Sequence, residues 1–304
     1  MGSPKFSLKT LDVLNKNKNI NVSLVVSGKD KKRNRNKFKP TPVKQYALDN
    51  NLDVITPDSV NTNEFISLLK EKEIDFIVVV AFGQLIKREL LKEYKDKIIN
   101  LHPSSLPKYR GPSPIQFTLL NGEKKTHASA MLIEEKMDSG DILNQKELEI
   151  KDQDDFTILS KNLSEIGSKA ILESILNYDE FIEKRKKQDN SNATFTTKIT
   201  KDMGKIDFNE TNEKIINKIK AFVEFPKAYF SYKDQNVKIL KASLVDIDNP
   251  KISYVYKANK DDKIVIGCKN GGIRIEKIQF PGKKCMDTKS FLLGNDFEQG
   301  IYLN

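Results

Sequence analysis

The sequence predicts an α/β protein in which a doubly wound parallel sheet is followed by a small C-terminal β-barrel domain. Three observations predict it. Up to residue 102, short apolar runs alternate with amphipathic stretches, the pattern of strand–helix–strand units. Residues 75–81 (DFIVVVA) form an unbroken apolar run, the mark of a strand covered on both faces. After residue 206 the pattern changes to five short alternating runs with Gly and Asn between them, which suits a small barrel of OB type.

Each element has its own signal. Phe6, Leu8, Leu11 and Leu14 recur at helical spacing and predict a helix over 5–16. Residues 20–27 (INVSLVVS) read as a strand and 43–50 as a helix, started by Pro40-Thr41-Pro42. A short strand at 54–55 precedes a helix over 62–72, with Phe65, Leu68 and Leu69 on one face. The strand at 75–81 turns at 82–86 into a helix over 87–94, and 98–102 is the next strand. Residues 127–134 are strand-like, 137–143 turn into another strand, and 156–176 form a long amphipathic helix. A helix over 212–222 opens the last region, followed by strands at 228–232, 237–243, 252–258, 263–268 and 272–279. The expected division is a first domain over 1–187, a polar, Asn-rich linker over 188–204 and a second domain over 205–304. A fold of this kind opens on a strand, whereas Gly2-Ser3-Pro4 is a turn. An apolar strand is therefore expected upstream of Met1 in the natural protein, leaving an empty central slot in this sheet.

Composition narrows the class. No apolar run reaches the roughly 18 residues of a membrane span. Cys268 and Cys285 form neither a CxxC pair nor a cluster with histidine, so no metal site is expected. The default is a cytoplasmic monomer with reduced thiols. Of the net charge of +10, a surplus of seven lies within residues 29–44, where eight basic residues face Asp30 alone. Few apolar residues accompany them, so this segment lies open to a polyanion.

The chemistry centres on Ile98-Ile99-Asn100-Leu101-His102-Pro103. On a strand, Asn100 and His102 point to one face, roughly 6.6 Å apart along the chain. They then sit at a strand's C-terminal end, where open α/β sheets bind ligands. A lone Asn-x-His is commonly structural, but this chain has only two histidines, His102 and His127. The loop that follows is also stiffened by Pro103, Pro107, Pro112 and Pro114. Asp138, alone the sign of an Asx turn, adds a carboxylate. An amide donor and an imidazole can stabilise a tetrahedral oxyanion, and a carboxylate can orient the imidazole and move a proton from an attacking amine. No Ser or Cys stands in a nucleophile elbow, so direct transfer fits better than a covalent intermediate.

These residues match a family. Asn100-x-His102, Ser104-Ser105-Leu106-Pro107, Tyr109-Arg110-Gly111-x-x-Pro114-Ile115-Gln116 and Asp138-x-Gly140-Asp141-Ile142-Leu143 closely resemble the folate-dependent formyltransferases, and among them the branch acting on methionyl-tRNA. Gly2-Ser3-Pro4-x-Phe6, Pro40-Thr41-Pro42-Val43-Lys44, Val78-Val79-Val80-Ala81-Phe82-Gly83, Gly204-Lys205-Ile206-Asp207-Phe208 and Lys220-Ala221-Phe222-x-x-Phe225-Pro226 extend the likeness over nearly the whole chain. The resemblance implies a Rossmann-like catalytic domain that moves a formyl group from 10-formyltetrahydrofolate to the α-amine of methionyl initiator tRNA, without a metal. It implies that Asn100 and His102 polarise the formyl carbonyl and that Asp138 tunes His102. It also implies that Ser104, Ser105, Leu106 and Pro107 contact the folate, and that Phe82, Gly83, Gln84, Leu85 and Ile86 line its pocket. Arg33, Arg35 and Lys37 are then the tRNA contacts. The sequence departs from the family at Arg33-Asn34-Arg35-Asn36, where Gly-Arg-Gly spacing is usual, and at Tyr109 and Phe225, which stand at usual Trp positions.

Two other readings compete. A formyltransferase acting on an amino sugar or another small amine would share the Asn, His and Asp set, but would need neither the basic segment nor a barrel. A non-catalytic RNA binder would not need that set, and the barrel strands lack an aromatic stacking ladder.

Overall fold

The computed structural model describes residues 1–33 and 37–303, which form two compact units. The first unit contains Met1–Pro114, Lys125–Glu149 and Ser160–Thr196; the second contains Ile115–Lys124, Ile150–Leu159 and the chain from Thr197.

In chain order, α1 (Leu8–Asn15) follows a short 3-10 turn and leads to β1 (Val25–Val26). The basic segment forms two strands, β2 (Lys31–Arg33) and β3 (Lys37–Lys39), paired antiparallel. Pairing gives a polar segment backbone partners that its side chains cannot supply. Next come α2 (Pro42–Asp49), β4 (Val54–Ile55) and α3 (Asn63–Glu71). Both helices start at a threonine cap: the Thr41 hydroxyl accepts the Lys44 N–H, and the Thr62 hydroxyl accepts that of Phe65. Then follow β5 (Ile77–Val79), α4 (Arg88–Glu93), β6 (Ile98–His102), α5 (Pro114–Leu120), β7 (Lys125–Leu132), β8 (Ile142–Glu149), α6 (Phe156–Leu176) and α7 (Tyr178–Glu183).

The expected all-parallel sheet is corrected to a mixed one. β1 pairs β4 in parallel as a separate two-stranded sheet. β5 and β6 are parallel, while β7 runs antiparallel to both β6 and β8. β8 returns on β7 after the connection 133–141, which is too short for the crossover that a parallel neighbour needs.

Between β1 and β5 lies a cavity of about 560 Å³, lined among others by Val22, Leu24, Val25, Leu69, Phe76 and Ile77. Met1 and Gly2 also line it. The Gly2 N–H donates to the Val26 carbonyl and the Val80 N–H to the Met1 carbonyl. The Met1 amino group donates to the Val78 carbonyl at 2.6 Å, and burial pushes it down to about 5. Only glycine fits at position 2, because a Cβ there would lie 2.8 Å from the Val80 oxygen. The cavity explains a shortfall: the apolar run at 20–27 is a strand only at Val25–Val26, where β4 supplies a partner.

The second unit holds α8 (Asn212–Ala221), β9 (Ala228–Tyr232), β10 (Gln235–Val245), β11 (Val255–Asn259), β12 (Lys263–Cys268), β13 (Gly271–Gln279), β14 (Met286–Asp287) and α9 (Thr288–Leu292). The five expected strands are all present, in an antiparallel sheet ordered β11-β12-β13-β10-β9 with β14 beside β13. Among the described residues β9 and β11 do not pair, so the expected closed barrel is not found. Each outer edge is met by other chain: the Ile206 N–H donates to the Tyr229 carbonyl beside β9, and residues 300–303 bond to 253–255 beside β11. One continuous apolar core, including Ile215, Phe230, Ile239, Ile264, Ile275 and Phe297, lies against this sheet. Among the described residues no helix is long and apolar enough to cross a membrane.

Candidate active site

β6 is central in its sheet and ends at His102, so the chain leaves the sheet at that histidine. Asn100 and His102 stand two positions apart on β6, opposite Met131 and Ser129 of β7. His102 is 4% exposed, and Asn100 is half-buried. His102 Nε2 lies 2.9 Å from the Tyr109 carbonyl oxygen. A carbonyl only accepts, so Nε2 carries a proton and donates it there. Nδ1 is then the nitrogen left for chemistry, and the Asp138 carboxylate stands 3.8 Å from it.

Asp138 is brought in from the β7–β8 turn, where it adopts a left-handed conformation (φ 50°) that aspartate tolerates better than most residues. The Gly111 N–H donates to its carboxylate at 2.7 Å. Gly111 itself has φ 111°, and a Cβ there would sit 2.7 Å from the Thr196 oxygen, so glycine is required on both counts. The structure thus brings His102 and Asp138 together, with Asn100 one pleat back along the same strand.

The Ser104–Pro107 segment is wired largely to its own surroundings. The fully buried Ser104 hydroxyl donates to the Lys108 carbonyl at 2.8 Å, and Ser129 donates to the Ser104 carbonyl at 2.7 Å. The Ser105 hydroxyl meets His127 Nδ1 at 2.8 Å. Leu106 packs with Met131 and Ile142, and the Leu106–Pro107 peptide is cis. In the 82–86 turn, Phe82 is buried in the apolar core and Gly83 has φ 87°. Gln84 accepts from the Val60 N–H and donates to the Pro57 carbonyl, while Ile86 packs on the core. Leu85 is 71% exposed. Sequence reasoning missed Asn61, which holds this turn through the Leu85 carbonyl and the Lys87 N–H.

Arg33 and Lys37 are cross-strand partners on β2 and β3; Arg35 lies outside the described residues. Sequence reasoning also missed Gln188, Thr194 and Thr196, whose contacts reach back to 109–113 across more than 75 positions. No local signal could have revealed them. No group of three or more His, Cys, Asp or Glu side chains suited to a metal occurs among the described residues.

A buried imidazole beside a carboxylate, at the end of a central strand and one pleat from an amide, is an arrangement able to polarise a carbonyl group. Comparison with known proteins gives the family. Residues 1–175 match the model of the formyl transferase family and residues 198–296 that of its C-terminal domain, so the chain belongs to the formyl transferases, in the group of methionyl-tRNA formyltransferases. It is 40% identical over 303 residues to the methionyl-tRNA formyltransferase of Finegoldia magna, covering 99% of this chain and 97% of that protein. Identity to the same-named protein of Sulfurihydrogenibium is 35% over 301 residues, covering 98% and 97%. Among solved structures it is similar to WlaRD, a sugar 3N-formyl transferase, with TM-score 0.66 and 25% identity over 93% of this chain and 97% of that one.

Proposed function

We infer that this chain transfers the formyl group of 10-formyltetrahydrofolate to the α-amino group of methionyl initiator tRNA, for use in translation initiation. The observation that carries the reading is His102 held between the Tyr109 carbonyl and the Asp138 carboxylate at the end of β6. When the amine attacks the formyl carbon, the carbonyl oxygen becomes an oxyanion. The Asn100 amide is its donor, worth on the order of 3 kcal/mol, and His102 polarises it through Nδ1. Asp138 orients His102 and accepts the proton that the amine sheds. The bond to folate nitrogen then breaks, and that nitrogen regains a proton.

The 82–86 turn with its exposed Leu85, and the segment Ser104, Ser105, Leu106 and Pro107, are assigned to the folate. Arg33, Arg35 and Lys37 supply cationic charge for the tRNA. The second unit, with its six-stranded antiparallel sheet, is read as an OB-type module that adds tRNA contacts. The chain acts as a cytoplasmic monomer without a metal.

The test offers labelled 10-formyltetrahydrofolate together with either methionyl initiator tRNA or a nucleotide-linked amino sugar. Formylation of the tRNA is expected; formylation of the sugar alone would overturn the reading. Binding of tRNA is expected to weaken steeply with salt, and neutralising the lysines and arginines of 31–39 to flatten that slope, as counterion release requires.

A further inference from the structure

We propose that Gln188 is a positioning residue for the transfer reaction: its side-chain amide, locked in one orientation by buried Arg110, holds the backbone of Asp138 within reach of His102. The proposal rests on the reading of His102 and Asp138 as the working pair.

The contacts form a closed circuit. Gln188 Nε2 donates to the Asp138 carbonyl at 3.0 Å and to the Gly140 carbonyl at 2.7 Å. Its Oε1 accepts from Arg110 Nε at 3.0 Å and Nη2 at 2.8 Å. Both hydrogens and both lone pairs of the amide are therefore used. A guanidinium only donates and a carbonyl only accepts, so the amide cannot flip without losing all four bonds. Arg110, 4% exposed, is fixed in turn by Asn190 Oδ1 at 2.9 Å from Nη1. Its hydrogen bonds thus go to neutral amides, an expensive use of a buried charge unless the position matters. Asp138 is the acid whose charge acts on this guanidinium against the cost of its burial.

Three consecutive residues frame the pair. The Tyr109 carbonyl holds His102, the Gly111 N–H holds the Asp138 carboxylate, and the Arg110 side chain between them holds Gln188. The left-handed backbone of Asp138 would relax if its carbonyl were released. A shift of about 1 Å between such groups costs up to roughly 100-fold in rate.

The experiment compares Gln188→Met and Gln188→Glu with wild type across pH 5.5–8.5, measuring kcat, KM for both substrates and the melting temperature. Gln188→Met removes donors and acceptor together. It is expected to lower kcat by about 10- to 100-fold with both KM values within about twofold, by a factor that does not vary with pH. Gln188→Glu keeps the acceptor for Arg110 but, when ionised, has no proton for the two carbonyls. Its kcat relative to wild type is expected to rise as pH falls and the introduced carboxyl regains a donor. A pH-independent ratio for Gln188→Glu, or normal kcat in a Gln188→Met protein whose only change is a lower melting temperature, would overturn the proposal. If Gln188→Met fails to fold, the pH dependence of the Gln188→Glu ratio decides alone. Asp138→Asn separates this from the underlying reading: unchanged turnover there removes the working pair itself, whereas a loss there with neutral Gln188 variants removes only the role of Gln188.

Discussion

The two units of this chain spend their residues differently. The second unit has one continuous apolar core under an antiparallel sheet, and its glycines and aromatics serve that packing. The first unit has its apolar residues in separate clusters, a cavity between β1 and β5, and buried polar groups (His102, Ser104, Arg110, Ser129, Gln188) gathered around the end of β6. Apolar burial is non-directional and stabilises wherever volume is filled. Polar burial is directional: each group needs a partner at a defined angle, so it fixes a geometry rather than adding much net stability. The first unit keeps a reactive arrangement in place; the second holds its shape.

That contrast can be broken at either side. The largest effect on stability is expected from Phe230→Ala, since Phe230 is 1% exposed and meets Phe208 and Phe297 edge-on. A loss of about 3–5 kcal/mol in denaturant unfolding of the second unit should accompany unchanged turnover per folded molecule. The mirror experiment is His102→Ala or Asn100→Ala. Each should lower kcat by about 100-fold or more while tRNA affinity stays near normal, and unchanged turnover would sever those residues from the chemistry. Gly111→Ala sits between the two, because it strains a left-handed backbone and drives a methyl against Thr196. It should cost about 1–3 kcal/mol and also lower kcat, visible as coupled losses in melting temperature and rate.

A smaller effect concerns pH. Burial holds the His127 imidazole below its usual range, so the folded chain binds fewer protons there than the unfolded chain. The neutral form beside Ser105 is favoured: its contribution is present in full above about pH 6.5 and is lost as pH falls through the lowered value. Subtracting the melting curves of His127→Gln from those of wild type over pH 5–8 should show that slope. Smallest is a chemical contrast. Cys268, in the packed core of the second unit, has its thiol pushed up to about 12 by burial, whereas Cys285 is exposed. A thiol reagent should label Cys285 alone in the folded protein, and labelling of both would mean that the core opens.

What could be read from the sequence follows from the range of each signal. Helix periodicity is local, and the long helix α6 spans 156–176 as its apolar spacing requires. Asn100 and His102 share a face because they are two apart on a strand, and every β-strand alternates its side chains. The five runs of the second unit became strands for the same reason. Strand length was not legible at 20–27, because a strand needs a paired neighbour and β4 pairs only with Val25–Val26. Nor was barrel closure, which depends on which segments reach the outer edges of β9 and β11.

The sequence by itself determined which chemical groups are present at the end of β6: an amide, an imidazole, a carboxylate and a stiff proline-rich loop. Only the tertiary structure decided how they are held. Tyr109, Arg110 and Gly111 each reach a partner distant in the chain, and Gln188 joins Arg110 from 78 positions away. Such bonds are set by direction and distance in space, to which the order of residues along the chain gives no clue.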